Sequence, residues 1–196
     1  MGCAILLPAA GASSRMRGGD KLLEKVEGRA VLRVIAMRAI AVSQHVAVTL
    51  RPEDAARRGV VADLAVSVLD VPDAREGMAA SLRAGARWAI ALPVNAMMIT
   101  LPDMPDITSD DMRALITDQA LQPVQPLRAC HQNRRAGHPT ILPRILFPEM
   151  LRLAGDTGAR ALMRAHPPRL HPLSGSRALD DLDTPEDWAK WRAKAR

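Results

Sequence analysis

The sequence predicts a single α/β domain over residues 1–196, in which helices cover both faces of a mainly parallel sheet to give three layers. Short apolar runs alternate with stretches of helical period along most of the chain, as in repeated β-then-α units. Hydrophobic residues make up 48% of the sequence, which is typical of a chain with a real core. There is no internal repeat, low-complexity tract or Gly/Ser-rich linker to mark a second domain.

The first third of the chain predicts two strands and two helices. The apolar run at residues 3–7 predicts the first strand, and residues 45–50 predict the second. Between them, residues 30–41 have helical period, and the apolar face of this helix comprises Leu32, Ile35, Ala36, Ala39 and Ile40. Pro52 suits the first turn of a helix, so we expect the next helix to begin there.

Three more strands and two more helices are predicted downstream. Residues 65–69, 96–101 and 124–130 have the apolar character of strands, and residues 77–92 have the period of a helix. Thr108 and Asp111 have the spacing of a capping box, which predicts that a further helix starts at that point. The prolines within residues 165–172 indicate turns around a late strand.

Composition limits the classes of partner. The formal net charge is +6 and the pI is near 10.3, which favours anionic ligands. Aromatic residues are only 2% and no run of five basic residues occurs, so we do not expect nucleic-acid binding. No segment reaches the ~18 apolar residues of a membrane helix, and no N-terminal signal is visible. We therefore expect a cytoplasmic protein.

The two cysteines do not predict a disulfide or a zinc site. Cys3 lies in the first predicted strand and Cys130 in another, where both are expected to act as small buried hydrophobic residues. The sequence has no CxxC motif and no Cys/His cluster with the spacing of zinc ligands.

The loop that follows the first strand has the composition of a phosphate site. Small residues come first, namely Ala9, Ala10, Gly11 and Ala12, so backbone N–H groups can approach an anionic oxygen. Arg15 and Lys21 then add two positive charges to the same loop. The loop lacks the hydroxyl residue of a P-loop and the Gly-x-Gly-x-x-Gly fingerprint, so it is neither of the common nucleotide loops. The sequence therefore predicts a triphosphate site of another kind.

A single carboxylate follows the fourth predicted strand. Asp103 lies between Pro102 and Met104, just past an apolar run, where it could hold Mg²⁺ together with phosphate oxygens and water. The alternative is a turn aspartate that hydrogen-bonds its own loop. Ligands of open parallel sheets bind beyond the carboxyl ends of the strands, which would bring together residues 9–21, 71–77 and 102–107.

Six segments in order resemble the motifs of the nucleotidyltransferases that activate molybdenum cofactor, the molybdenum cofactor cytidylyltransferases and guanylyltransferases. Residues 8–21 resemble Leu-Ala-Ala-Gly-x-Ser-x-Arg-Met-Gly-x-x-Lys, with Pro8 in place of Leu and with Arg17 as an extra residue. The segment at 77–82 resembles Gly-Met-x-x-Ser-Leu, and the segment at 135–139 resembles Arg-Gly-His-Pro. Further on, 155–160 resembles Gly-Asp-x-Gly-Ala-Arg, and 182–187 resembles the end of Asp-Ile-Asp-Thr-Pro-Glu-Asp. Residues 101–105 resemble Leu-Gly-Asp-Met-Pro, with Pro102 in place of Gly. Val71 stands where the family has Asn.

The resemblance implies a Rossmann-like nucleotidyltransferase fold and a role for each matching residue. Lys21, Arg15 and Asp103 would be catalytic, with Mg²⁺ on Asp103 and Asp183. The nucleotide would be bound by Ala9, Ala10, Gly11, Ala12, Arg15, Lys21, Gly77 and Ser81, and the acceptor by Gly137, His138, Asp156 and Arg160. For several of these a structural role is equally open: Ser81 could face solvent, His138 could be structural, and Asp156 could cap a helix. Thr184 and Pro185 make a strong helix start, which explains much of the motif around Asp183.

The reaction that the resemblance implies is transfer of CMP from CTP to molybdopterin, with release of pyrophosphate. CTP is favoured over GTP because Ala10 adds a methyl group where the guanylyl-transferring relatives have glycine. A molybdoenzyme or its maturation chaperone is an expected partner. Two alternatives are nucleotidyl transfer to another phosphate, such as a sugar or polyol phosphate, and a non-enzymatic carrier of molybdenum cofactor.

Overall fold

The computed structural model describes residues 2–155 and 158–194. Its strands are β1 (Gly2–Pro8), β2 (Lys25–Val26), β3 (Arg29–Ala30), β4 (Val46–Leu50), β5 (Ser67–Asp70), β6 (Val94–Ile99), β7 (Leu127–Cys130), β8 (Ala136–Pro143) and β9 (Arg169–Pro172). Its helices are α1 (Val31–Ile40), α2 (Ala55–Val61), α3 (Met78–Ile90), α4 (Ser109–Leu121), α5 (Phe147–Met150), α6 (Gly158–Ala165) and α7 (Pro185–Lys194).

Seven strands form one sheet in the order β5-β4-β1-β6-β8-β7-β9, and β2 pairs with β3 in a separate small hairpin. The pairs β1–β4, β1–β6, β4–β5 and β7–β9 are parallel. Within the residues described, β8 alone runs antiparallel to the neighbours it pairs with in the large sheet. The mainly parallel sheet is therefore confirmed, with one reversed strand inside it.

The sheet is buried on both faces. Along β1, Ile5 and Leu7 pack into a core with Ile35 of α1 and Trp188 of α7. Leu6 points the other way, into a second core that includes Leu82 of α3. Such two-sided burial explains why the parallel strands appear as continuous apolar runs in the sequence. The three-layer α/β architecture is confirmed.

Capping side chains mark the starts of α4 and α2, and the start of α2 differs from the prediction. The capping box at α4 is confirmed, since Thr108 Oγ1 accepts from Asp111 N–H at 3.1 Å and Asp111 Oδ2 accepts from Thr108 N–H at 2.9 Å. The prediction that Pro52 opens a helix was wrong. The helix begins at Ala55 because the side chain of Asp54 accepts the N–H of Arg57 at 3.0 Å and so caps it.

Strand β8 was absent from the sequence-based prediction. Gly137 and Pro139 interrupt its apolar pattern and are typical of a turn. The β7–β8 ladder shifts register between Arg128 and Cys130, opposite the stretch that contains Pro139. Because the ladder is irregular there, the strand accommodates a residue that cannot donate a backbone hydrogen bond.

Both cysteines are free, as expected, and burial raises the pKa of the Cys3 thiol to about 12.

Across residues 2–155 and 158–194, none of the helices has the length and apolar character required to cross a bilayer.

Candidate active site

A cleft of about 270 Å³ lies at the carboxyl edge of the parallel strands. It brings together the loops after β1, β5 and β6, as predicted, and a fourth segment that precedes α7. The side chains and backbone that line it include Ala10, Gly11, Arg15, Lys21, Gly77, Met78, Ser81, Asp103, Asp181 and Asp183. Residues more than 160 positions apart in the sequence therefore meet in one site.

The loop after β1 exposes a series of backbone donors. Among the residues described, the N–H groups of residues 10–15 donate to no other protein atom. Gly11 has open space where a Cβ would be, so its backbone can approach a ligand closely. The left-handed backbone occurs at Ser13 (φ 50°) and Arg17 (φ 52°), whereas Gly11 does not need it. Free N–H groups beside the cleft suit phosphate oxygens.

Lys21 occupies the centre of a charged cluster at the floor of the cleft. Its ammonium group lies 2.5 Å from Asp103 Oδ2 and 2.6 Å from Asp183 Oδ1. Burial lowers the pKa of Lys21, but the two carboxylates outweigh burial and the pKa is raised overall. Arg15 Nη1 pairs with Asp183 Oδ2 at 2.6 Å while remaining largely exposed to solvent. The four residues predicted to carry the chemistry thus meet in one cluster.

The two carboxylates fit a hard divalent cation. Asp103 and Asp183 both contact one ammonium nitrogen, so their oxygens converge on a single cationic position. In the described part of the chain, no group of three acidic, histidine or cysteine residues could enclose a metal. Mg²⁺ is typically held by one or two carboxylates, with substrate phosphates and water completing its octahedron. The donor set therefore fits Mg²⁺ or Mn²⁺ bound together with a triphosphate.

Asp181 is a cleft residue that the sequence analysis missed. Burial raises its pKa, and the neighbouring Asp183 and Asp103 carboxylates raise it further, against the opposing effect of Lys21. The two-residue spacing from Asp183 was the available signal, because side chains two apart in an extended segment point the same way. Asp181 adds to the negative potential that attracts a cation.

The cleft wall opposite the first loop is the start of α3. Gly77 precedes this helix with φ 86°, a backbone conformation that glycine adopts readily. Ser81 lines the cleft but is buried, and its Oγ accepts a hydrogen bond from Thr49 Oγ1 at 3.0 Å. Thr49 Oγ1 in turn accepts the N–H of Ala9 at 3.2 Å. The solvent-facing alternative for Ser81 is wrong, because this buried chain links α3 to the first loop.

Ala10 belongs to the first loop and packs against the α3 wall with little of its surface exposed. It packs in a small apolar cluster with Val71, Ala80 and Ala84. Val71, which replaces a polar residue of the family pattern, is therefore a packing residue of this wall. Ala10 sets the position of the wall where a base could lie, and its effect on base choice stays a prediction.

Gly137 and His138 lie on β8 rather than in an open loop. A Cβ on Gly137 would lie 1.7 Å from the carbonyl oxygen of Ala178, which gives this glycine a structural role. The N–H of His138 donates to the same carbonyl at 2.8 Å. Burial lowers the pKa of His138 to about 4, with Arg128 contributing in the same direction and the backbone of Ile99 opposing. Acceptor binding by these two residues stays a prediction.

The other two residues predicted to bind the acceptor are Arg160 and Asp156. Arg160 lies in the first turn of α6 and is exposed. Asp156 lies outside the residues that the structure describes.

Arg17, the residue that lengthens the first loop, pairs with Glu186 of α7 at 2.7 Å, so the longer loop reaches the C-terminal helix.

Comparisons with known proteins agree with this arrangement. The family model described as "MobA-like NTP transferase domain" matches residues 4–170. The purine catabolism protein PucB of Bacillus subtilis is 28% identical over 191 residues, which cover 92% of this chain and 91% of that protein. Rv0371c of Mycobacterium tuberculosis, in its complex with manganese, is 27% identical with a TM-score of 0.78, covering 97% of each chain.

A more distant structure shows the fold alone. The molybdopterin-guanine dinucleotide biosynthesis protein A of Archaeoglobus fulgidus is 13% identical, with a TM-score of 0.71 over 100% of this chain and 98% of that one.

Proposed function

Because the chain belongs to the MobA-like NTP transferase family and is a nucleotidyltransferase, we propose that it transfers CMP from CTP to molybdopterin and releases pyrophosphate. A phosphate oxygen of molybdopterin attacks the α-phosphorus of CTP, a new P–O bond forms, and the bond to pyrophosphate breaks. The observation that supports the proposal best is the convergence of Lys21, Asp103 and Asp183 on one point, beside a loop of free N–H groups.

The residues of the cleft supply positioning and positive charge. The N–H groups of residues 10–15 and the Arg15 guanidinium hold the β- and γ-phosphates, and Lys21 neutralises charge at the α-phosphate. A divalent ion bound by Asp103 and Asp183 would offset the negative charge that grows on the phosphate oxygens. The Mn²⁺ complex of Rv0371c supports the use of a divalent ion in this family. The reaction needs no nucleophilic side chain.

The choice of CTP and molybdopterin rests on the motifs. Ala10 and the segment that begins at Gly77 have the form of the cytidylyl-transferring relatives. The match to the MobA-like family supports molybdopterin as the acceptor. Gly137, His138, Asp156 and Arg160 are the proposed acceptor residues.

The direct test incubates purified protein with Mg²⁺, molybdopterin and each of the four nucleoside triphosphates in turn, and measures pyrophosphate. We expect release with CTP that depends on molybdopterin. Parallel reactions contain a sugar phosphate or a polyol phosphate in place of molybdopterin. Release with one of these and none with molybdopterin would contradict the proposed acceptor.

The Asp103→Asn variant is the matched control, because it keeps the shape of the side chain and removes its charge. It should be folded and should release no pyrophosphate at any Mg²⁺ concentration. A Mg²⁺ titration identical to that of the wild-type protein would remove Asp103 from the metal site.

A further inference from the structure

Arg57 lies beneath the loop that follows β1, with 3% of its surface exposed. A buried arginine is costly unless its donors are satisfied, so its partners explain its presence. It belongs to α2 and does not line the cleft. Any role of Arg57 in the site rests on the proposed binding of a nucleoside triphosphate.

The start of α2 fixes the direction of the Arg57 side chain. Asp54, the capping residue, accepts the backbone N–H of Arg57 through Oδ1 at 3.0 Å. Its other oxygen lies 3.2 Å from Arg57 Nε. Asp54 therefore caps the start of α2 and orients the guanidinium of Arg57 at the same time.

The guanidinium binds the beginning of the loop through its carbonyl groups. Arg57 Nη1 donates to the carbonyl oxygen of Ala9 at 2.5 Å and to that of Gly11 at 2.7 Å. Arg57 Nη2 donates to Ser13 Oγ at 3.0 Å. A planar fork of donors is suited to hold several acceptors in fixed positions.

The same guanidinium binds the end of the loop through Asp20, the residue before Lys21. Arg57 Nε donates to Asp20 Oδ2 at 2.7 Å and Nη2 donates to Oδ1 at 2.8 Å. Asp20 Oδ1 also accepts from Leu22 N–H at 3.0 Å and from Ser13 Oγ at 3.1 Å. One side chain therefore connects the start of the loop to the residue that precedes the catalytic lysine.

We propose that Arg57 is a positioning residue for the triphosphate. It holds the carbonyl oxygens of Ala9 and Gly11, which would repel phosphate, and leaves the N–H groups of residues 10–15 free for the ligand. Through Asp20 it also fixes the backbone from which Lys21 extends. Two carboxylates, Asp20 and Asp54, offset the charge of Arg57, so it acts through geometry and not by attracting the anion from a distance.

The test compares Arg57→Lys with Arg58→Lys, the neighbouring residue of the same helix, whose exposed side chain pairs with Asp70 at 2.5 Å. Lysine keeps the charge but cannot span the acceptors at both ends of the loop. Binding of CTP with Mg²⁺ is measured by calorimetry, and KM and kcat are measured by pyrophosphate release. For Arg57→Lys we expect Kd and KM to rise about 10-fold or more and kcat to fall by roughly 10- to 100-fold. Arg58→Lys should stay within about twofold of wild type, as for an exposed pair.

Chemical rescue separates positioning from a general loss of stability. Added guanidinium ion should restore part of the CTP affinity of Arg57→Ala, whereas ammonium ion should not. If circular dichroism shows that the Arg57 variants do not fold, Asp20→Asn replaces them, because it weakens the same contacts from the other side. It should raise KM for CTP in the same direction.

The outcomes distinguish the inference from the proposed function. If the wild-type protein binds none of the four nucleoside triphosphates, the proposed function fails and the inference fails with it. If the wild-type protein binds CTP and a folded Arg57→Lys or Asp20→Asn variant binds it equally tightly, the inference alone is overturned.

Discussion

At the Lys21 ammonium group, one positive charge is shared by two carboxylates, Asp103 and Asp183. A divalent cation would bind the same oxygens that hold this ammonium. If Asp103 and Asp183 hold the proposed cation, Lys21 moves away from these oxygens, and the phosphates of a bound nucleotide offer it new partners. The ion pair with Lys21 holds the two carboxylates close together.

We expect Lys21→Ala to lower kcat by a factor on the order of 10² to 10³, the range found when one preorganised charge contact is removed from a reacting oxyanion. Pyrophosphate release under saturating CTP and molybdopterin measures this effect. The exposed Lys25→Ala is the control for removal of a positive charge nearby. A folded Lys21→Ala protein with more than a third of wild-type turnover would exclude Lys21 as the α-phosphate contact.

Base choice is the second prediction at this scale. Ala10 is buried against Val71 and Ala80, so its methyl group sets the position of the cleft wall. One methyl group in a tight contact is worth about 1–3 kcal/mol, or roughly 10–200-fold in kcat/KM. CTP should be preferred over GTP by about that factor, and Ala10→Gly should narrow the gap. The kcat/KM values of both triphosphates on both proteins decide this, and a wild-type preference for GTP would contradict it.

Among the structural elements, β8 and the loop after β6 hold the segment that carries Asp181 and Asp183. The segment that carries Asp181 and Asp183 is attached to β8 by the hydrogen bond from His138 N–H to the Ala178 carbonyl. It is attached to the loop after β6 by the bond from Leu182 N–H to the Asp103 carbonyl at 3.0 Å. These two backbone contacts place Asp183 beside Asp103.

The close approach at Gly137 gives a prediction for this element. In Gly137→Ala the new Cβ would lie 1.7 Å from the Ala178 oxygen, so the segment must move. We expect a destabilisation of roughly 1–3 kcal/mol or more, as for overpacking in a core, together with weaker Mn²⁺ binding measured by electron paramagnetic resonance. Gly59→Ala, where a Cβ meets nothing within 4 Å, is the control. A Gly137→Ala protein with wild-type stability and Mn²⁺ affinity would show that this contact does not place Asp183.

The elements also show what a sequence can predict. Strands such as β1 and β4 are continuous apolar runs and were predicted to within a residue or two of their bounds. Strand β8 was missed because its glycine and prolines break that pattern. Arg57 gave no local signal, since its partners Asp20 and Ala9 lie 37 and 48 residues away in the sequence. The motifs identified Lys21, Asp103 and Asp183, but their contact with one another depends on the tertiary fold.

For the whole molecule, the buried His138 makes stability depend on pH. Its pKa is lowered from 6.5 to about 4, so between these values the unfolded chain binds more protons than the folded one. This contribution is fully present above pH 6.5 and is lost as the pH falls toward 4. The buried Nδ1 atom has no hydrogen-bond partner among the residues described, which makes a protonated ring costly.

We therefore expect the free energy of unfolding, measured in urea, to fall by an amount on the order of 1–3 kcal/mol between pH 7.5 and pH 4.5. His138→Gln should reduce this pH dependence, although it lowers stability at pH 7.5. His45→Gln, whose side chain makes no hydrogen bond in the described residues, should leave the pH dependence unchanged. Equal pH dependence in all three proteins would contradict the assignment to His138.

The separation of Lys21 from Asp183, 162 positions along the chain, has a consequence for biosynthesis. The loop after β1 leaves the ribosome early, whereas Asp183 follows after roughly 10–30 s at ordinary rates of translation. A nascent chain that ends before Asp183 carries this loop and Asp103 but lacks the second carboxylate of the proposed cation site. On the proposed function, full activity is expected only once the segment that carries Asp183 has joined the site.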